Sequence, residues 1–111
     1  MRIISGSKRG KKLFTPADVR VRPTSDRARE ALFSILYAKY FDTLDGVAVL
    51  DVFSGTGAVG LEAASRGAER VCFVDLDLKL TKKNAAVCGF GNVAFMERDA
   101  RRLPRAPQPF G

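Results

Sequence analysis

The chain has 111 residues, of which 46% are hydrophobic, and it carries a formal net charge of +7. A chain of this length forms one domain or part of one, and no apolar run approaches the ~20 residues that a membrane-spanning helix requires. The first residues, MRIISGSKRGKK, carry charges where a secretory signal peptide has its apolar region, so we expect a cytoplasmic protein.

The positive charge is concentrated near the amino terminus. Residues 1–30 contain nine Lys or Arg and three acids, a net charge of +6, and the remaining residues contribute +1. This asymmetry is typical of a segment that binds a polyanion, although a solvated basic face would give the same count. The chain has no His, and Cys72 and Cys88 lack the C-x-x-C spacing, so we expect reduced structural thiols and no metal site.

The first predicted element is a short basic β-hairpin. The segments RIIS and KKLF flank SGSKRG, whose two glycines suit a loop. We assign residues 1–24 to this basic arm, in which Pro16 and Pro23 punctuate the chain.

An amphipathic helix is predicted over residues 26–41, within a second segment of residues 25–45. Either Thr24 or Ser25 can cap its amino end. Apolar side chains recur at helical spacing, at Ala28, Ala31, Leu32, Ile35 and Ala38. We expect this stripe to face the core.

From residue 46 the sequence alternates between strand and helix, as VAVLDVF, AVGLEAASR, RVCFVD, LKLTKKNAAVCG and VAFME. Repeated β-α-β units predict a parallel sheet, and almost continuously apolar strands are typical of sheets covered by helices on both faces. We therefore predict an α/β fold, with the first three parallel strands of a Rossmann-like sheet in residues 46–111.

Acidic residues lie at the carboxyl ends of the three predicted strands. Asp51 lies near the end of the first strand, Asp75 closes the second, and Asp99 follows the third. In open α/β sheets the ligand crevice lies at these ends, so we expect the three side chains to surround one pocket. Each has a structural alternative, because an Asp at such a place, like Asp77, can start or cap a helix.

The loop after the first strand contains Gly55, Gly57 and Gly60 in the G-x-G-x-x-G spacing of a dinucleotide-binding turn. Asp51 argues against a diphosphate, because a carboxylate about 4 Å from a phosphate repels it by roughly 4 kcal/mol at an effective dielectric of about 20. The same carboxylate attracts an ammonium. Asp75 has the spacing of an acid that binds ribose hydroxyls. We therefore expect a cationic nucleoside, S-adenosylmethionine, and a NAD-dependent oxidoreductase is the less favoured alternative.

Three stretches of the sequence together resemble one family. MRIISGSKRGKKL, RPTSDRAREALFSIL and VLDVFSGTGAVGLEAASRGA with RVCFVDLD are similar to the RsmD family of bacterial small-subunit ribosomal RNA (guanine-N2)-methyltransferases. The resemblance runs from Met1 to about Leu103, and RPTSDRAREALF is its most specific part. It implies a Rossmann-like methyltransferase fold, S-adenosylmethionine as cofactor, and methylation of a guanine N2 amine in ribosomal RNA or an assembling small subunit.

The resemblance also implies a set of cofactor-binding residues. The methionine end of the cofactor would be held by Asp51 and by the backbone of Phe53, Ser54, Gly55 and Gly57. The ribose hydroxyls would bind Asp75, and the adenine would face Asp99 and Ala100.

Basic residues near the amino terminus would, by the same resemblance, lie beside the active site and seat the RNA. The candidate phosphate contacts are Lys8, Arg9, Arg20, Arg22, Arg27 and Arg29. Nothing in their pattern selects a particular base.

The sequence departs from the family in one respect. Enzymes that methylate exocyclic base amines resemble one another in an Asp- or Asn-Pro-Pro-aromatic segment after the fourth strand, and no such segment occurs here. We therefore expect a truncated chain without catalytic residues or turnover. Because the family's first strand lies beside the fourth, VAVLDVF would form an open edge that favours self-association. A non-catalytic RNA-binding module is the alternative interpretation of the chain alone.

Overall fold

The computed structural model describes residues 1–15, 26–39, 44–52 and 54–99. These residues form helix α1 (Asp26–Lys39), strand β1 (Ala48–Val52), helix α2 (Ala58–Ser65), strand β2 (Arg70–Asp75), helix α3 (Lys79–Cys88) and strand β3 (Val93–Glu97). The predicted alternation of strands and helices is confirmed. Within these ranges no helix is long and apolar enough to cross a membrane.

The three strands form one parallel sheet in the order β1-β2-β3. Strand β2 lies deepest, because Val71, Phe73 and Val74 are at most 1% exposed. The flanking strands are more open, since Val52 on β1 and Phe95 on β3 are each 37% exposed. Of the described strands, only β2 therefore meets the expectation of a strand buried on both faces.

Helix α2 lies between the sheet and the amino-terminal arm. All of its residues except Val59 are buried. One of them is Glu62, a carboxylate with 0% exposure in an otherwise apolar helix. A buried carboxylate of this kind requires donors or cations from neighbouring elements, and the arm and α1 provide them.

Residues 1–15 form an irregular antiparallel hairpin, which is the predicted arm. Its two halves meet at a single bridge between Arg2 and Lys12, and the Ile3 N–H donates to the Lys11 carbonyl at 2.9 Å. Ile3 and Leu13 are buried in the same apolar cluster as Phe33 and the residues of β2. The arm is therefore packed onto the α/β unit, and the division of the chain into three segments stays a prediction.

Helix α1 presents a different face to the core from the one we predicted. The predicted stripe points outward: Leu32 is 40% exposed and Ile35 is 52% exposed. The three alanines of the stripe are also exposed, at positions 28, 31 and 38. The prediction that this stripe faces the core is therefore wrong, and the capping residues Thr24 and Ser25 lie outside the described residues.

The buried face of α1 consists of Arg29 and Phe33, with Leu36 and Tyr37 partly buried against the same core. These four positions follow the i, i+4, i+7, i+8 spacing of one helical face. The orientation is set by polar partners, because Arg29 reaches the carboxylate of Glu62 at 3.1 Å. Apolar spacing alone could not reveal this, since the deciding side chain is a charged one.

The two cysteines, Cys72 on β2 and Cys88 at the end of α3, are free thiols. Burial raises the pKa of both thiols, so the reactive thiolate forms are disfavoured. This agrees with the structural role expected for them.

Candidate functional site

The loop between β1 and α2 bends sharply at the carboxyl edge of the sheet. Gly55 and Gly57 have φ angles of +57° and +82°, a region that side chains disfavour. Within the loop, the Gly57 N–H donates to the Ser54 carbonyl at 2.8 Å. From α3, the hydroxyl of Thr81 donates to the Gly55 carbonyl at 2.9 Å. The shape of the loop is therefore fixed by its own hydrogen bonds and by helix α3.

The three glycines of the loop have different surroundings. A Cβ atom at Gly57 would lie 2.9 Å from the Thr81 Cγ2 atom, and one at Gly60 would collide with the Phe73 ring. A Cβ atom at Gly55, by contrast, would meet no described atom within 4 Å. Gly57 and Gly60 thus permit close packing against α3 and β2, whereas Gly55 leaves one side of the loop open to a ligand.

Asp51 lies beneath this loop and is only 9% exposed. Its Oδ2 atom accepts a hydrogen bond from the Gly60 N–H at 3.0 Å. Burial raises the pKa of Asp51 to about 6, the Gly60 hydrogen bond opposes this shift, and the negative charge of Asp75 adds to it. At neutral pH the side chain is therefore mostly an ionised, poorly hydrated carboxylate, which favours a cation close by.

Asp75 stands beside the same loop at the end of β2. Its Oδ2 atom accepts from the Gly55 N–H at 3.0 Å, and its Oδ1 atom accepts from the Leu76 N–H at 2.7 Å. A carboxylate has about four acceptor positions, so both oxygens can still accept hydroxyl protons. The structure thus brings Asp51, Ser54, Gly55, Gly57 and Asp75 together at one edge of the sheet.

Of the three remaining residues predicted to bind the cofactor, the structure describes only Asp99. The Arg98 N–H donates to the Asp75 carbonyl at 3.0 Å, which brings the end of β3, and with it the half-buried Asp99, toward the end of β2. Phe53 and Ala100 lie outside the described residues. Asp77 has the helix-starting role that we considered as an alternative, because its Oδ1 atom accepts a hydrogen bond from the Lys79 N–H at 3.0 Å at the start of α3.

The predicted RNA contacts fall into three groups. Lys8, Arg9 and Arg27 are exposed, as a phosphate contact must be. Arg20 and Arg22 lie outside the described residues. Arg29 was predicted wrongly, because it has 0% exposure and its guanidinium is used inside the protein.

The guanidinium of Arg29 donates to Glu62 at 3.1 Å, to Asp26 at 3.0 Å, and to the Arg2 carbonyl. These bonds turn it away from solvent and make it part of the structural core. A signal for this role was present in the sequence: Glu62 interrupts the apolar helix AVGLEAAS, and a buried carboxylate predicts a buried cation.

Glu62 is the centre of a buried network that the sequence did not lead us to expect. Its carboxylate accepts from the N–H groups of Ile4 at 2.9 Å and Ser5 at 3.1 Å, and from the guanidinium of Arg66 at 2.9 Å. The Arg66 guanidinium in turn lies 4.6 Å from the centre of the Phe33 ring. One side chain therefore joins the arm, α1 and α2.

Asn84, on α3, is a second connector that the sequence did not reveal. Its amide donates to the Thr56 carbonyl of the glycine loop at 2.8 Å and to the Phe14 carbonyl of the arm at 3.0 Å. Its Oδ1 atom accepts from the Phe14 N–H at 2.6 Å. The candidate cofactor loop and the basic arm are thus held by one fully buried side chain.

Comparisons with known proteins agree with this geometry. The sequence model of the family described as Conserved hypothetical protein 95 matches residues 1–109. YlbH of Bacillus subtilis, provisionally named an rRNA methyltransferase, is 47% identical over 79 residues, which cover 71% of this chain and 41% of YlbH. Ribosomal RNA small subunit methyltransferase D of Escherichia coli is 39% identical over 103 residues, which cover 90% of this chain and 50% of that protein.

A solved structure gives the same result. The protein yhhF of Escherichia coli, provisionally named a methyltransferase, superposes with a TM-score of 0.75 at 38% identity, covering 90% of this chain and 54% of that one. The predicted Rossmann-like methyltransferase fold is therefore confirmed. The chain spans about half the length of the curated relatives named above. Since the family match extends over residues 1–109, the chain belongs to the Conserved hypothetical protein 95 family, which is the RsmD family of the sequence resemblance.

Proposed function

We propose that this chain carries the S-adenosylmethionine site of a ribosomal RNA methyltransferase. The observation that carries the proposal is the buried carboxylate of Asp51 beneath a glycine loop whose Gly55 side is open. The names of the relatives from Bacillus subtilis and Escherichia coli support the same activity.

The residues at the loop fit this cofactor. S-adenosylmethionine carries a sulfonium and an ammonium but no phosphate, so an ionised Asp51 attracts it. A diphosphate at the same place would be repelled by both Asp51 and Asp75. The open side of Gly55 lets a ligand approach the loop backbone closely, which a side chain would prevent.

Each part of the site has a separate task in this proposal. Asp51, with the backbone of Ser54, Gly55 and Gly57, holds the methionine end of the cofactor. Asp75 accepts the ribose hydroxyls, and Asp99 faces the adenine; Phe53 and Ala100 complete the set. When bound, the cofactor supplies an activated methyl group on its sulfonium. The residues named here would hold and orient the cofactor that carries this group.

The proposed substrate is small-subunit ribosomal RNA, methylated at the N2 amine of a guanine. The exposed basic residues Lys8, Arg9 and Arg27 support a polyanionic partner, and Arg20 and Arg22 belong to the same proposed contact set. Either naked RNA or an assembling small subunit would present the same phosphate chemistry, and a bacterial rRNA substrate places the reaction in the cytoplasm.

Binding is the appropriate readout for this chain, because its sequence contains no Asp- or Asn-Pro-Pro-aromatic segment. We expect radiolabelled S-adenosylmethionine to bind in equilibrium dialysis, and unlabelled S-adenosylmethionine to displace it. NAD in at least a hundredfold excess should displace none. Displacement by NAD with an affinity comparable to that of S-adenosylmethionine would reject the proposal in favour of a dinucleotide site.

A further inference from the structure

We propose that the groove between the arm and helix α3 binds a single-stranded segment of RNA. The groove has a volume of about 410 Å³ and is lined by Lys11, Lys12, Leu13, Phe14 and Val87. Lys83, one helical turn before Val87, stands at its side. The proposal rests on the proposed function only in taking RNA as the polyanion, since the groove is separate from the cofactor loop.

The charged side chains among the described residues that line or flank the groove are all positive. Lys11 and Lys12 line it, Lys83 flanks it, and none of the described lining residues is acidic. A further cation, Lys8, acts electrostatically on Cys88, the residue after Val87 on α3. Several ammonium groups along a channel of this kind match the regular charge of a phosphate backbone.

Phe14 adds an exposed aromatic ring to this basic surface. The residue is 43% exposed, and the Lys83 ammonium lies 4.0 Å from the centre of its ring. Asn84 holds both backbone groups of Phe14 by hydrogen bonds of 2.6 Å and 3.0 Å, so the backbone that carries the ring is held in place. A partly exposed ring among cations is the arrangement on which proteins stack a nucleobase of a single strand.

The groove is also connected to the candidate cofactor loop. Asn84, which holds Phe14, donates to the Thr56 carbonyl of that loop as well. The link passes through the interior, because Asn84 is fully buried, so the groove and the loop share a support but not a surface. An acidic peptide would satisfy the lysines, but it would leave the exposed ring of Phe14 without a stacking partner, so the observations favour RNA.

The experiment measures binding of a fluorescein-labelled oligouridylate to the 111-residue chain by anisotropy over a range of salt concentrations. Phe14→Leu should weaken binding about fivefold or more, because a base loses its stacking surface but the apolar packing is kept. An oligomer of equal length with abasic sites should bind Phe14→Leu and the unaltered chain equally. The combined variant Lys11→Gln, Lys12→Gln, Lys83→Gln should reduce the salt slope by about two.

Lys82→Gln is the matched control, because Lys82 lies on the same helix but its ammonium is 5.8 Å from the Phe95 ring and 3.9 Å from Glu97. Its substitution should change affinity less than twofold. Unchanged affinity of Phe14→Leu for the oligouridylate would overturn the proposal, and so would equal competition by polyglutamate. Cofactor binding measured on the same variants should be unaltered, so that failure of the groove and failure of the cofactor site give different results.

Discussion

Asn84 and Phe14 are 70 residues apart in sequence, and the side chain of the first makes hydrogen bonds to both backbone groups of the second. The same amide also donates to Thr56, so the arm and the glycine loop depend on one residue. Asn84 is fully buried, and water cannot replace its hydrogen bonds if they are removed.

Asn84→Ala should therefore reduce both stability and cofactor affinity. We expect the free energy of unfolding to fall by about 2 to 4 kcal/mol, because one buried and two partly buried backbone groups lose their partner. Urea unfolding and isothermal titration with S-adenosylmethionine measure the two effects. Asn92→Ala is the control: its amide donates to the carbonyls of Ala68 and Glu69, away from the loop, so stability should fall and affinity should not.

Asp51→Asn should stabilise the fold at pH 7.5 while weakening the binding of the cofactor. The pKa of Asp51 is raised from 3.8 to about 6, so ionisation is less favourable in the folded state than in the unfolded state. The asparagine removes that penalty, and we expect the free energy of unfolding to rise by roughly 1 to 3 kcal/mol. The affinity for S-adenosylmethionine should fall at least tenfold. An unchanged affinity would contradict the role of Asp51.

The pH dependence of the unaltered protein follows from the same raised pKa. The stability that Asp51 contributes is present below about pH 4 and is lost as the pH rises through about 6, because the folded state holds the proton more tightly. The affinity for S-adenosylmethionine should show the opposite pH dependence: it should decrease as the pH falls below about 6, because Asp51 then loses its negative charge. Titrations of Asp51→Asn should lack both trends.

Gly55→Ala should mainly weaken cofactor binding, whereas Gly57→Ala should mainly lower the stability of the fold. A methyl group at Gly55 enters open space, so its main effect should be on cofactor binding, with a modest cost of about 1 kcal/mol from the positive φ. A methyl group at Gly57 would lie 2.9 Å from Thr81 Cγ2, so stability should fall further. Thr81→Ser removes that Cγ2 atom and keeps the hydroxyl that holds the Gly55 carbonyl. Thermal unfolding should therefore show partial rescue of Gly57→Ala, and none of Gly55→Ala.

Arg27 and Arg29 are two residues apart, but substitutions at the two positions should have different effects: one on RNA binding and the other on stability. Arg29→Met leaves Glu62 short of a buried cation, so we expect the free energy of unfolding to fall by about 3 kcal/mol. Arg27→Met removes an exposed charge and should leave stability within about 0.5 kcal/mol. Oligouridylate binding should weaken for Arg27→Met alone when both variants are measured at a temperature where they are folded.

Strand β1 lies at an edge of the sheet formed by the described strands, and an edge strand offers backbone groups for pairing. We expect concentration-dependent self-association of the chain in sedimentation velocity. Val52→Lys should reduce it, because Val52 is 37% exposed on β1 and a charge at an edge opposes pairing. Ala94→Lys on the opposite edge strand β3 is the control. Equal suppression by both variants would argue against β1 as the contact.

The sequence predicted the α/β alternation and the position of the glycine loop because those signals are local. Apolar runs, glycine spacing and an acid at a strand end act within about ten residues of one another. Gly60 shows both what the sequence could predict and what it could not. Its spacing predicted the position of the loop. Its hydrogen bond to Asp51 depends on how α2 packs against β1, and the sequence does not show that packing.

The features that sequence reasoning missed depend on partners far away along the chain. Helix α1 was placed with the wrong face inward because Arg29 pairs with Glu62, 33 residues later. Asn84 could not be assigned a role, since both of its partners lie on other elements. In each case a buried polar group decided the geometry, and hydrophobic periodicity contains no information about such groups.

The bonds that hold the arm to α2 and α3 span 57 to 70 residues. The arm precedes α2 and α3 in the chain, so its docking surface is completed only when α3 has been made. Until then the amides of Ile4 and Ser5 must bind water in place of Glu62. Docking of the arm should consequently follow the folding of α2 and α3.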